Sequence, residues 1–277
     1  LTSEIWQATY TIEAFDDNSG AGKDVPFTID FIDLNGYAGT QVIATSSGTG
    51  VTFDKTPPTA SSLTIATNND NDISLCKFED SVTITFEADE LLQPPTMLIA
   101  GQDTDPPVAV GSNAKWMGTY TMPNTGPEGQ VSISTVFTDY AGNTAASPQT
   151  EITSGINVTF DRTTPTLTEV SIFSNSIYDT TLAKAGDRIT LEIKADEALQ
   201  SAPSFIIDGG AAFDATQGAS DSAWSGTYIM QPEDTQDTVE FVVEFYDLAA
   251  NAGTPVIATV GGSFVVFDNT ATDMTSV

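Results

Sequence analysis

The sequence VTFDKTPP, at residues 51–58, is repeated along this chain, and the repetition determines how the chain is divided into folded units. It recurs as VTFDRTTP at residues 158–165 and, shortened, as VVFDNT at residues 265–270. The aspartates of the three copies, Asp54, Asp161 and Asp268, are equally spaced, and their interval is that of one small domain. The sequence therefore predicts a tandem array of similar domains.

Two further landmarks recur in phase with this sequence. A Trp-x-(Ala/Gly)-Thr-Tyr motif starts, at nearly the same interval, at Trp6, Trp116 and Trp224. An aspartate ends a run of alternating apolar residues, again at nearly the same interval, at Asp33, Asp139 and Asp247. The positions of these landmarks predict the second half of a repeat at residues 1–57, whole repeats at 58–164 and 165–271, and the start of another at 272–277. The chain then corresponds to an internal window of a longer protein.

Apolar residues alternate with polar ones within each repeat. Val25, Phe27, Ile29 and Phe31 show this period of two, which is typical of a half-buried strand. About seven such short strands per repeat, no helical periodicity and a mid-domain tryptophan predict an all-β fold of antiparallel immunoglobulin-like sandwiches in an elongated array. We expect Trp116 and Trp224 to be core anchors rather than ligand platforms. Residues 1–57, with half the strands missing, should leave their apolar face uncovered.

The composition excludes several functions. Lys and Arg number 8 against 38 Asp and Glu, a formal charge of −30, so nucleic acids and anionic membranes would be repelled. The absence of histidine excludes Ser-His and Cys-His catalysis and imidazole metal sites. Cys76, the only cysteine, cannot form an intrachain disulfide and is expected to be a small, half-buried apolar residue near a strand start. No apolar run is long enough to span a membrane.

Acidic residues should meet at one pole of each sandwich. The start of strand A and the ends of strands B and F lie at the same pole of an immunoglobulin-like domain. In the second repeat this places together Asp54, Asp89, Glu90, Asp139 and Asn143; in the third, Asp161, Asp196, Glu197, Asp247 and Asn251. Clustered carboxylates repel one another unless a cation intervenes, and oxygen ligands suit calcium. The sequence thus predicts an interdomain calcium site at each joint.

Some of these acidic residues can also be interpreted as parts of turns or solvated loops that bind no metal. The sequence DYAGN at residues 139–143 is also a good turn, with Asp in first place and Gly available for positive φ. Asn68, Asp70 and Asp72 have the opening spacing of an EF-hand but lack its glycine and final glutamate, so we expect a solvated loop there.

The motifs Val-x-Phe-Asp-x-Thr-x-Pro, Asp-x-Ala-Gly-Asn and Trp-x-Gly-Thr-Tyr make the chain resemble the bacterial immunoglobulin-like (Big-type) tandem repeats of giant surface adhesins. This chain departs from the pattern at Ala250, where the turn glycine is replaced, and at Tyr37, which takes the place of the asparagine. The resemblance implies secreted, non-enzymatic spacer domains that calcium rigidifies at the linkers.

The resemblance also implies an extracellular, cell-surface location. The partners expected are neighbouring repeats and possibly other copies of the chain, with no nucleic acid and no membrane insertion. Two alternatives are a subunit of a sheath or surface-layer assembly that acts through lateral contacts, and an accessory module of a secreted polysaccharide-active enzyme. An exposed aromatic strip would favour the enzyme module.

Overall fold

The computed structural model describes residues 5–13, 24–211 and 213–271, so the predicted start of a further repeat at 272–277 lies outside it. The described residues form strands, isolated bridges and turns, with no α-helix among them. Among these residues, accordingly, no helix is long and apolar enough to cross a membrane. The all-β prediction is confirmed.

Residues 58–164 contain ten strands. They are β1 (Ala60–Thr67), β2 (Leu75–Cys76), β3 (Ser81–Ala88), β4 (Thr96–Ile99), β5 (Gln102–Asp103), β6 (Val108–Val110), β7 (Ser112–Thr121), β8 (Gly129–Gln130), β9 (Ile133–Val136) and β10 (Thr159–Phe160). Inward and outward residues alternate throughout β3, as the period-two pattern of Val82, Ile84 and Phe86 requires.

Residues 165–271 repeat these strands with one omission, the counterpart of β8. They are β11 (Leu167–Ser174), β12 (Leu182–Ala183), β13 (Arg188–Ala195), β14 (Ser204–Ile207), β15 (Phe213–Asp214), β16 (Thr216–Gln217), β17 (Ala223–Ile229), β18 (Phe241–Glu244) and β19 (Val266–Phe267). The interval from the start of β1 to the start of β11 equals the interval from β10 to β19, and both equal the spacing of the motif aspartates. The repeat period of the sequence is therefore also a period of the strands.

The strand order is that of an immunoglobulin-like sandwich. One sheet has the order β11-β13-β17-β16 and a facing sheet the order β15-β14-β18. In domain lettering these are A-B-E-D and C′-C-F, the division found in immunoglobulin domains. The sheets β1-β3-β7-β6 and β5-β4-β9 show the same order in the preceding repeat. The predicted sandwich topology is confirmed from the strand order itself.

The core of the third repeat lies between its two sheets. Leu191 comes from the first sheet, Phe205 and Val243 come from the second, and all three are fully buried in one apolar cluster. Burying a side chain of this size stabilises the folded state by about 1.5–3 kcal/mol. The glycine of the Trp-x-Gly-Thr-Tyr motif belongs to this packing, because a Cβ at Gly226 would lie 2.4 Å from the Phe205 ring.

The two motif tryptophans differ in burial. Trp116 is 6% exposed, and its Nε1 donates to the carbonyl of Asn113 at 2.8 Å. Trp224 is partly buried against the core cluster, and its Nε1 donates to the carbonyl of Asp221 at 3.0 Å. The prediction of a core anchor is confirmed for Trp116, whereas Trp224 is an anchor that also contacts solvent.

The last strand of each repeat pairs in parallel with a short strand that the sequence analysis missed. β10 runs parallel to β2, with Phe160 opposite Cys76, and β19 runs parallel to β12, with Phe267 opposite Ala183. Strands of two residues are too short to show a period, which is why alternation could not reveal them. Cys76 is fully buried in this ladder rather than half-buried as expected, because the parallel pairing with β10 covers it. Burial, followed by the charge of Asp80, raises the pKa of its thiol to about 12.

Residues 24–57 do not form named strands. Single bridges such as Ile29 to Val42 connect them, and Phe27, Ile29 and Phe31 are 38%, 52% and 52% exposed. Their equivalents in the third repeat are buried: Phe241, Val243 and Phe245. The expected uncovered apolar face is thus present.

The chain divides into two compact units, one of residues 1–63, 85–118 and 133–153, the other of residues 64–84, 119–132 and 154–277. The first unit contains β4, β5, β6 and β9, and the second contains β2, β8, β10 and every strand from β11 to β19. Neither unit follows the sequence repeats, so the repeat boundaries stay predictions.

Candidate cation site

Each candidate site is built from three separate parts of the chain. In the third repeat, Asp161 directly follows β10, Glu197 lies two residues after β13, and Asp247 lies three residues after β18. In the second repeat, Glu90 and Asp139 follow β3 and β9 in the same way, and Asp54 precedes β1. Because antiparallel strands reverse at each turn, these strand ends come to the same pole.

Two groups of three carboxylates come together at these strand ends. One oxygen from each of Asp54, Glu90 and Asp139 lies within 4.8 Å of the others, and so does one from each of Asp161, Glu197 and Asp247. We call these groups the first and second acidic trios. Asp139 and Asp247 are buried, at 1% and 0% exposure, while the other four residues are half-buried.

The predicted asparagines hold the buried aspartates in place. The backbone N–H of Asn143 donates to Asp139 Oδ1, and its Nδ2 donates to Asp139 Oδ2, both at 2.8 Å. The same Nδ2 lies 3.1 Å from the carbonyl of Asp54, so one amide connects the turn to the linker. Asn251 repeats the arrangement with Asp247 and with the carbonyl of Asp161 at 3.2 Å.

The other two predicted site residues face different partners. Both oxygens of Asp89 accept hydrogen bonds from Thr59, at 2.8 Å from N–H and 2.6 Å from Oγ1. Asp196 accepts the equivalent pair from Thr166, at 2.8 and 2.7 Å. These bonds lower the pKa of Asp196, and they outweigh the opposing effect of burial to lower that of Asp89.

Thr59 and Thr166 were not identified by the sequence analysis. Each follows the linker proline, Pro58 or Pro165, and each precedes its aspartate by 30 residues. This constant Pro-Thr spacing is the signal that could have identified them.

The glutamate of each trio has a raised pKa. Burial, followed by the charges of Asp247 and Asp161, raises the pKa of Glu197 to about 7. Burial, then Asp139 and Asp54, likewise raises the pKa of Glu90, and burial followed by Asp247 raises that of Asp161. Like charges that share a partly desolvated site disfavour ionisation. Both trios are therefore places where added positive charge would be stabilising.

The donor set fits calcium. Each trio offers carboxylate oxygens, the ligands that this hard cation prefers. Within the described residues, no hydrogen bond or ion pair is made by the carboxylate of Glu90 or of Glu197.

A further acidic residue fixes the linker that follows the second repeat. Glu128 Oε1 accepts from the backbone N–H of Arg162 at 3.1 Å and from Thr163 Oγ1 at 2.9 Å. Gln236 makes the equivalent contacts with Asn269 and Thr270 at the end of the third repeat. The linker backbone next to Asp161 is therefore held by hydrogen bonds as well as by its own strand.

No known protein family and no curated protein matches this sequence. Solved structures that are similar include a 1.5-MDa bacterial ice-binding adhesin, with 16% identity, coverage of 79% of this chain and 67% of that structure, and a TM-score of 0.42. The I9–I11 tandem from titin has 14% identity, coverage of 74% and 66%, and a TM-score of 0.31.

Another similar structure is the Bacteroides ovatus protein SGBP-B of a mixed-linkage glucan utilization locus. It has 17% identity and a TM-score of 0.22, and the match covers 71% of this chain and 43% of that structure. These likenesses concern the fold alone, and this chain spans two thirds or less of the titin and Bacteroides structures.

Proposed function

We propose that this chain is a structural spacer of an extracellular bacterial surface protein, an adhesin or filament, in which calcium holds successive repeats in a fixed relation. The observation that carries the proposal is the recurrence of the acidic trio. In both trios, one carboxylate oxygen of an aspartate in a predicted linker lies within 4.8 Å of an oxygen from a glutamate and from an aspartate of the predicted repeat that follows.

The recurrence argues for a joint rather than for an active site. An enzyme needs one catalytic arrangement of side chains, whereas a spacer needs the same contact between every pair of successive repeats. Asp54 and Asp161 are in the predicted linkers, so a cation bound by each trio would connect each linker to the predicted repeat that follows it. A rigid series of small domains would carry another binding module away from the cell.

The proposal is tested by calcium-dependent thermal stability. Adding calcium to a hundredfold excess over Kd should stabilise the folded chain by about 2.7 kcal/mol per site, since only the folded state assembles the ligands. Asp161→Asn should remove the part of this stabilisation that belongs to the second trio and leave each sandwich folded. Scanning calorimetry in calcium and in EDTA measures both effects.

Asp196→Asn is the matched control. Asp196 lies next to Glu197 in sequence, but its two oxygens are held by Thr166 and it is outside the trio. This variant should keep the whole calcium-dependent increase in melting temperature. Equal melting temperatures in calcium and in EDTA for the unmodified chain would refute calcium binding, and both trios would then be metal-free turns.

A further inference from the structure

One asparagine of the predicted second repeat contacts a turn of the predicted third repeat without using any trio carboxylate. Asn69 lies between β1 and β2, and its Nδ2 donates to the carbonyl of Ala249 at 2.9 Å. We call this hydrogen bond the Asn69 contact. Asn69 is 5% exposed and Ala249 is fully buried, so bulk water does not compete for the bond. The expectation of a solvated loop is therefore wrong for Asn69.

The side-chain amide of Asn69 uses its full hydrogen-bonding capacity. Its Nδ2 donates to Asp80 Oδ2 at 3.2 Å as well as to Ala249. Its Oδ1 accepts from the backbone N–H groups of Asn71 and Asp72, at 3.0 and 3.3 Å. A side-chain amide has two N–H donors and two acceptor positions, so all four are satisfied here.

Three of these four hydrogen bonds lie within the second repeat and hold the amide in one orientation. Asp80 is 7% exposed, and it also accepts from the backbone N–H of Lys77 at 2.8 Å and from Lys77 Nζ at 2.9 Å. The acceptor beside Asn69 is thus held by a charged partner of its own. The fourth bond is the Asn69 contact, and breaking it would leave a buried donor unsatisfied, which is costly in free energy.

We infer that Asn69 holds the second and third repeats together without metal, by binding the turn at residues 247–251 through the backbone carbonyl of Ala249. Asparagine is needed for this role. Aspartate has no N–H to donate, and serine has a single donor on a shorter side chain. Because the acceptor is a backbone carbonyl, the turn is recognised by its shape and by the small side chain of Ala249.

The Asn69 contact and the proposed calcium site use different groups. Ala249 lies two residues after Asp247 of the second trio, but neither Asn69 nor Ala249 belongs to a trio. Repulsion between carboxylates in the metal-free chain acts at the trio, so the Asn69 contact should stay formed in EDTA and limit bending. The spread of distances between the two repeats should therefore be narrowest in calcium, intermediate in EDTA, and broadest in EDTA when the contact is removed.

The test measures that spread by pulsed electron paramagnetic resonance. Spin labels are attached to the variants Asn124→Cys, in the second repeat, and Gln217→Cys, in the third, both at exposed positions of one chain. Cys76 is fully buried and its thiol pKa is raised, so it should stay unlabelled. In EDTA, Asn69→Asp should broaden the distance distribution, because it removes the amide donor and places a second carboxylate beside Asp80. Tryptophan fluorescence checks that the sandwiches stay folded.

A second variant changes the turn and leaves the loop of Asn69 intact. Ala249→Leu should also broaden the distribution in EDTA, because added bulk at a fully buried residue separates the turn from the loop. Two matched controls use the equivalent positions of the other repeat. Ser176→Ala, at the position of Asn69, and Ala141→Leu, at the position of Ala249, should leave the distribution unchanged.

The inference is overturned if the labelled chain with Asn69 has as broad a distribution in EDTA as Asn69→Asp, or if either control broadens it equally. The proposed calcium site fails in a different way. Equal distributions in calcium and in EDTA for the labelled chain would contradict calcium binding, while a broader distribution for Asn69→Asp would still support the Asn69 contact.

Discussion

Gly142 and Ala250 occupy equivalent positions in the turns of successive repeats, but only glycine adopts the backbone conformation of that position without strain. Gly142 has φ of 99° and Ala250 has φ of 68°, both in the left-handed region. A residue with a Cβ is strained there by about 1–2 kcal/mol, and glycine is not. The third repeat therefore contains a strained residue directly beside the buried Asn251 that holds Asp247.

We predict opposite effects from exchanging these two residues. Ala250→Gly should stabilise the third repeat by about 0.5–1 kcal/mol, because the relief of strain exceeds the added entropy of the unfolded chain. Gly142→Ala should destabilise the second repeat by about 0.5–1 kcal/mol, because the same strain is added and the same unfolded-chain entropy is lost. Urea unfolding of both variants measures this, and a loss of stability in Ala250→Gly would contradict the assignment of strain.

Without calcium, the second trio should make stability depend on pH. The pKa of Glu197 is raised to about 7 in the folded state from an ordinary value of 4.5. The folded chain then binds more protons than the unfolded chain between these values, so the Glu197 contribution is fully present below about pH 4.5 and is lost as pH rises through about 7.

Glu197→Gln should remove the part of the pH-dependent loss of stability that comes from Glu197. The measurement is the free energy of unfolding against pH in EDTA. Glu192→Gln, at an exposed position on β13, is the control and should keep the slope of the unmodified chain. Identical slopes for both variants would show that Glu197 does not titrate as the structure indicates.

The acidic trios could be predicted from the sequence because the ends of strands of known direction lie at the same pole of the sandwich. Which of the adjacent residues Asp89 and Glu90 belongs to the trio could not be predicted, because the sequence does not show which of the two side chains points towards the other carboxylates. That choice is made by Thr59, whose N–H and hydroxyl take both oxygens of Asp89. Such a contact over 30 residues depends on the linker geometry rather than on any local pattern.

At the scale of elements, β7 and β17 each bring one tryptophan to the core. Trp116→Ala should cost about 3–5 kcal/mol of stability, because the ring is only 6% exposed and its removal would leave a large cavity. Trp224→Ala should cost less, since part of its ring already contacts water. Denaturant unfolding with tryptophan fluorescence checks the order, and an equal cost at both positions would contradict the difference in burial.

The long strands could be predicted because their apolar residues alternate over eight positions, as in β3 and β13. The ladders of β2 with β10 and of β12 with β19 could not, because two residues show no period. What fixes these short strands is the backbone of distant segments, as in the hydrogen bond from the N–H of Asp161 to the carbonyl of Cys76 at 2.9 Å.

For the whole molecule, we predict that calcium narrows the range of conformations in solution. The chain has a net charge of −30, so without metal the carboxylates at each joint should repel one another and the joint should bend. Small-angle scattering should then show a broader distance distribution in EDTA than in calcium. The double variant Glu90→Gln and Glu197→Gln should give profiles that respond less to calcium. Superimposable profiles for the unmodified chain in both buffers would contradict the prediction.

The parallel ladders have a mechanical consequence. β2 and β10 run in the same direction near the entry and the exit of one repeat, as β12 and β19 do in the next. Tension applied to the two ends of such a repeat acts along these strands and shears the ladder, so its hydrogen bonds must break together rather than one after another. Resistance to pulling then depends on the rate of forced unfolding. A chain of such repeats would hold a load through its backbone hydrogen bonds, even where no ion is bound.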